Sequence, residues 1–148
     1  MDKNKTYVSL ETAKLLKKAG FTWECSEYYK NNNDSLIWGY CYDWNSQQTP
    51  GVDYVSAPTL EVAQKWLREV KNCQIEIMYM YDKYGINMGK YIGIYTVQDR
   101  IHTSLADEES EQPIKLFEVY EKAQEALEQK ILTILLEEEQ QNEESNLV

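Results

Sequence analysis

Residues 59–81 read TLEVAQKWLREVKNCQIEIMYMY, a helix and a strand in direct succession. Pro58 disfavours helical backbone before it, and the Thr59 hydroxyl can cap the first N–H groups of a helix. Ala63, Trp66, Leu67 and Val70 then recur at helical spacing and make one apolar stripe, with Trp66 as its expected core anchor. Asn72 is the expected stop. From Gln74 the period drops to two. Ile75, Ile77, Tyr79 and Tyr81 share one face and Met78 and Met80 the other, so the strand Gln74–Tyr81 is apolar on both sides. Such a strand is expected in the middle of a sheet or under an interface. Its partner is Tyr91–Val97, reached through a turn region holding Gly85, Asn87 and Gly89.

Upstream, Ser9 to Gly20 carries every mark of a helix. Ser9 is a cap, Glu11 sits at the positive end of the dipole, Lys17 and Lys18 sit at the negative end, and Gly20 is a left-handed stop. Leu10, Ala13 and Leu16 form its stripe. Aromatic and β-branched residues on either side of Asn31–Asp34 predict a hairpin of Glu27–Lys30 with Ser35–Tyr42, and a short extended piece covers Asp53–Ser56. Downstream, Gln98–Gln112 reads as an exposed loop and Ile114–Phe117 as a short strand. A last helix spans about Val119–Leu136, with Ala123, Ala126, Leu127, Ile131, Ile134 and Leu135 as its stripe. Glu137–Glu139 oppose the negative end of that helix, and the tail 140–148 has little to bury and is expected to be disordered. The fold class predicted is therefore α+β: a mainly antiparallel sheet of about four or five strands with two or three helices packed on it, in a single domain over 1–139.

Three helix starts are alike: Ser9-Leu10-Glu11-Thr12-Ala13, Thr59-Leu60-Glu61-Val62-Ala63 and Val119-Tyr120-Glu121-Lys122-Ala123. Shared capping chemistry and an old duplication both account for them, and the unequal spacing excludes a solenoid. Tyr7–Phe21, Ala57–Val70 and Phe117–Leu127 resemble blocks of a family of small uncharacterised proteins encoded by phages and mobile elements of gut bacteria of the Bacteroides group. The resemblance covers about a quarter of the chain. It implies no activity and no catalytic residue. Where that family begins its last helix with Ser or Thr, this chain has Val119.

Charge narrows the function classes. The chain carries a net −10, all of it in residues 107–148, which hold thirteen acidic and three basic residues. A general nucleic-acid binder held by a basic surface is disfavoured, although an acidic end can imitate nucleic acid or steer basic partners. No 18-residue apolar run exists, and Met1–Lys5 leads into no apolar signal segment, so the expected setting is cytoplasmic, with no membrane. Cys25, Cys41 and Cys73 form no C-x-x-C pair, which suits unpaired thiols and gives no metal site.

No constellation points to catalysis. Gly85-Ile86-Asn87-Met88-Gly89-Lys90-Tyr91 has one residue too few between its glycines for a phosphate loop, and Tyr91 in place of the Ser/Thr that holds magnesium. Cys25 and His102 are a conceivable thiolate pair with no local signature. Lys14, Lys17 and Lys18 line one side of the first helix, by default a solvated face. No catalytic, cofactor or metal residue is assigned, and no cofactor is expected. The distinctive feature is aromatic: twelve Tyr and four Trp, with Tyr79, Tyr81, Tyr84, Tyr91 and Tyr95 inside 17 residues. Without neighbouring Arg this favours packing or protein contact over base stacking. Tyr79, Met80, Tyr81, Tyr84, Tyr91 and Tyr95 are the candidate interaction surface, for a protein partner or a homo-oligomer. Two other classes stay open: an acidic nucleic-acid mimic that inhibits a DNA-binding protein, and a small ligand-binding domain or enzyme with a Tyr/Trp-lined pocket.

Overall fold

The computed structural model describes residues 4–81, 84–98, 100–103 and 117–147. Among them are three α-helices and six strands, all paired antiparallel, so the fold class is α+β. The strands divide between two three-stranded sheets, and the chain divides into two compact units. Unit 1 comprises Met1–Ala63 with Leu132–Val148, and unit 2 comprises Gln64–Ile131.

In unit 1, helix α1 (Leu10–Lys18) starts and stops where its chemistry dictates. Ser9 Oγ accepts the Thr12 N–H at 3.3 Å. At the other end Gly20 takes φ 94°, its N–H bonds to the Lys17 carbonyl at 3.1 Å, and the Phe21 N–H bonds to the Leu16 carbonyl at 3.0 Å. That paired closure is a Schellman cap, and it delivers Phe21 into the core beside Leu16, both buried. The sheet has the order β2-β1-β3, with β1 Cys25–Lys30, β2 Ile37–Tyr42 and β3 Tyr54–Ser56. Along β1, Cys25, Glu27 and Tyr29 are buried and the alternate residues are not. The Tyr29 hydroxyl donates to the Val8 carbonyl at 2.7 Å, and Glu27 accepts the Tyr7 hydroxyl at 2.9 Å.

Helix α2 (Leu60–Lys71) is capped by Thr59, whose Oγ1 accepts the Val62 N–H at 3.2 Å, and is stopped by Asn72 at φ 55°. In unit 2 Trp66 and Leu67 are buried as expected. Val70 is exposed, because the buried stripe runs out in the last turn. The second sheet has the order β4-β5-β6: Cys73–Tyr81, Asn87–Val97 and Arg100–Thr103. Two expectations change here. Among the described residues β4 lies at an edge of its sheet rather than in the middle, which leaves the interface alternative, and its positions Gln74, Glu76 and Met78 are exposed. The expected loop after Gln98 instead turns at once into β6, with Val97 facing Arg100 in the register. A turn of this length needs a residue at positive φ, and Gln98 takes 48°. The expected strand Ile114–Phe117 lies outside the described residues except for Phe117, which exchanges backbone hydrogen bonds with Tyr91 at 2.7 and 2.9 Å.

Helix α3 runs from Tyr120 to Asn146, ten residues beyond the expected end at Leu136, so the tail expected to be disordered is helical as far as Asn146. Once a helix is nucleated, each further residue adds a hydrogen bond at low cost, and Glu and Gln are good helix formers. Its buried positions include Ala123, Leu127, Ile131, Leu132 and Leu135, and also two that no apolar pattern reveals, Gln124 and Glu128. Gly93 of β5 lets this helix approach: a Cβ there would lie 3.1 Å from Leu127 Cγ and closer still to its Cδ1.

Candidate interaction surface

The hairpin β4–β5 carries the residues singled out from sequence, and their surroundings sort them. Register places Tyr79 opposite Tyr91 and Ile75 opposite Tyr95 on one face. Tyr95 is buried there, beneath the side of the sheet that Leu127 covers at Gly93, and so is no part of a surface. Tyr79 and Tyr91 are half-buried and meet edge to face, with centroids 4.7 Å apart. Tyr81 and Tyr120 continue the row at 6.0 and 5.7 Å from Tyr79 and Tyr91 respectively. Edge-to-face rings at such distances stabilise one another beyond their burial. The register shifts between Tyr79 and Tyr81, with two more residues on β5 (Asn87 to Tyr91) than on β4, and here Met80 is half-buried and Tyr81 exposed.

At the hairpin end the exposed side chains gather. Tyr81 is 59% exposed, Tyr84 75% and Ile86 62%. Gly85 and Gly89 at φ 74° and 67° shape this end, which is the turn reading of the glycine pair. Of the six predicted residues, then, Tyr81 and Tyr84 stand at the surface, Tyr79, Met80 and Tyr91 are half-buried, and Tyr95 is core.

A second aromatic group, in unit 1, was not legible. Trp44 begins a short 3₁₀ turn (Trp44–Ser46) and folds back onto the sheet. Its ring stacks on Tyr28 with centroids 4.2 Å apart and lies against Tyr40, Tyr42 and Tyr54 at 5.0–5.6 Å. Its Nε1 donates to the Cys25 carbonyl at 2.9 Å. Gly39 makes the space, since a Cβ there would sit 2.9 Å from the Trp44 ring. On the same strand Trp38 and Tyr40 are 69% and 65% exposed. The available signal was the run Ile37-Trp38-Gly39-Tyr40-Cys41-Tyr42, six residues with no charge and one glycine.

The reactive groups singled out from sequence have these surroundings. Burial pushes the Cys25 thiol up to about 11, so at neutral pH it is not a thiolate nucleophile. His102 is in β6, and its side chain lies outside the described residues. Lys17 of the basic helix face is engaged, donating to Asp53 at 3.0 Å and to the Tyr54 carbonyl at 2.7 Å, and Lys14 donates to Asn32. Burial, with the Glu125 charge next, holds the Glu128 carboxyl well above the usual carboxylate range. Neither Glu128 oxygen has a hydrogen-bond partner among the described residues. One turn away Gln124 donates to Gln64 at 2.7 Å, and Gln64 donates to the Ile75 carbonyl at 3.3 Å. Among the described residues no group of three His, Cys, Asp or Glu is placed to hold a metal, and no helix is long and apolar enough to cross a membrane. No family model, no curated protein and no solved structure matches this chain.

Proposed function

We propose that the protein is a non-catalytic interaction module that receives a protein partner on the end of the β4–β5 hairpin, in the cytoplasm and in the service of a phage or mobile element. The observation that carries the reading is the grouping of Tyr81, Tyr84 and Ile86, all more than half exposed, within six residues of one hairpin. Single exposed apolar side chains need no explanation, whereas grouped ones mark contact sites, and tyrosine is enriched in interface cores. The ring row Tyr81–Tyr79–Tyr91–Tyr120 gives the exposed Tyr81 a stiff base, which lowers the ordering cost of binding.

A second reading, the acidic mimic of nucleic acid, draws on the C-terminal half of α3. There Glu137, Glu138, Glu139, Glu143 and Glu144 follow one another with no Lys or Arg after Lys130. A photo-crosslinking side chain placed at Tyr84 or at Glu143, in lysate of Bacteroides-group bacteria, separates the two. Capture from position 84, lost on Tyr81→Asp, supports the hairpin surface. Capture of a DNA-binding protein from position 143 alone, unaffected by Tyr81→Asp, supports the mimic and overturns the hairpin reading.

A further inference from the structure

The sheet edges of this protein are closed in different ways. β3 is only three residues long, and the Asn45 side chain accepts its Ser56 N–H at 2.9 Å while the Asn45 N–H donates back to Ser56 Oγ at 3.2 Å. β4 carries the exposed Glu76, and its Ile75 carbonyl takes the Gln64 amide. β6 carries Arg100. Short length, side-chain caps and charge are the means by which proteins keep other strands from adding to an edge.

β2 has none of these, although its register against β1 shifts between Trp38 and Tyr42. It is six residues long, without charge or proline, and pairs with β1 on one side only; its other side meets no strand among the described residues. We propose that this edge is an interface between two copies of the chain, β2 pairing with β2 of the second copy, antiparallel about a two-fold axis, so that two three-stranded sheets become one of six strands. A two-fold axis perpendicular to the strands generates an antiparallel pair, and in it each side chain faces residues of the same six-residue set. A charged strand would set like charges side by side, which is unfavourable, but Ile37–Tyr42 contains no charge to repel its copy. Trp38 and Tyr40, 69% and 65% exposed, supply the apolar contact. Rings of this size offer about 300 Å² per copy at that exposure. Together with the strand edges this reaches the low end, about 1,000 Å², of what a specific interface buries. The dimer is therefore a weak, reversible one. Each copy carries −10, so salt that screens this repulsion strengthens it.

Sedimentation velocity of the full chain from micromolar to millimolar concentration tests this. The expected result is a monomer–dimer equilibrium that tightens with added salt and is weakened about 30-fold or more by Trp38→Lys, as for an interface anchor, with an unchanged far-ultraviolet circular dichroism melt. Should Trp38→Lys disturb folding, hydrogen exchange of the unaltered chain decides instead: the Tyr40 and Tyr42 amides gain protection as concentration rises. A strict monomer at millimolar concentration, or β2 amides whose exchange does not respond to concentration, overturns the proposal. So does a dimer that a folded Trp38→Lys variant forms as tightly.

Discussion

Replacing Glu128 by glutamine should change how stability depends on pH. Glu128 lies on α3 with no exposed surface and with neither oxygen hydrogen-bonded among the described residues. Burial first and the Glu125 charge second raise its pKa in the folded protein, whereas in the unfolded chain it titrates near the ordinary value of about 4.3. Between those two values the native state binds one proton more than the unfolded state. The sign follows: unfolding free energy falls as pH rises, by up to about 1.4 kcal/mol per pH unit, from the unfolded pKa until the folded one is passed. Below the unfolded pKa both states are protonated and the penalty vanishes. The glutamine side chain of the Glu128→Gln variant keeps the shape and cannot ionise. Any cost of burying its amide is independent of pH, and the self-repulsion of the net −10 chain is nearly common to both proteins. Urea unfolding followed by far-ultraviolet circular dichroism at pH 5 and pH 6 should therefore show the variant gaining on the parent over that interval, by at most about 1.4 kcal/mol. If the two proteins lose or gain stability in parallel across it, the Glu128 carboxyl is not buried and uncharged as described.

Gly93→Ala should destabilise by about 1–3 kcal/mol, the cost of an extra methyl in a packed core, because its Cβ meets the Leu127 side chain. In a double-mutant cycle Leu127→Ala should recover part of that loss, and strictly additive effects would show that the two positions do not touch. With a thiol reagent at pH 8 and low protein concentration, Cys41, exposed, should react fast, while Cys25, buried and with its thiol raised to about 11, should react only on unfolding. Fast reaction at Cys25 in the folded chain would contradict its burial.

Much of the secondary structure was legible, for local reasons. Ser9 with Gly20 and Thr59 with Asn72 close their helices through bonds spanning three to five residues, so the signals sit beside the elements they bound. What failed was non-local. Alternation marks a strand as such but not its neighbours, so six strands could not be divided into two sheets, and β4, expected in a centre or under an interface, lies at an edge among the described residues. β6 was obscured by the acidic run that follows it. The candidate surface was half legible: its tyrosines were named, but the register shift after Tyr79 and the α3 contact at Gly93, where Tyr81 faces out and Tyr95 in, appear in no periodicity. Glu128 was invisible because a glutamate among helix formers looks like solvent-facing charge.

The division into two units has a consequence for synthesis on the ribosome. Unit 2 is one uninterrupted stretch, Gln64–Ile131, whereas unit 1 needs Met1–Ala63 together with Leu132–Val148, which are made only after unit 2. At about 5–20 residues per second, the nascent chain holds all of unit 2 roughly one to three seconds before the rest of unit 1 exists. Unit 2 is therefore complete in sequence before unit 1, and Phe21, Tyr29 and Val55, all buried in the fold, belong to the unit that is finished second.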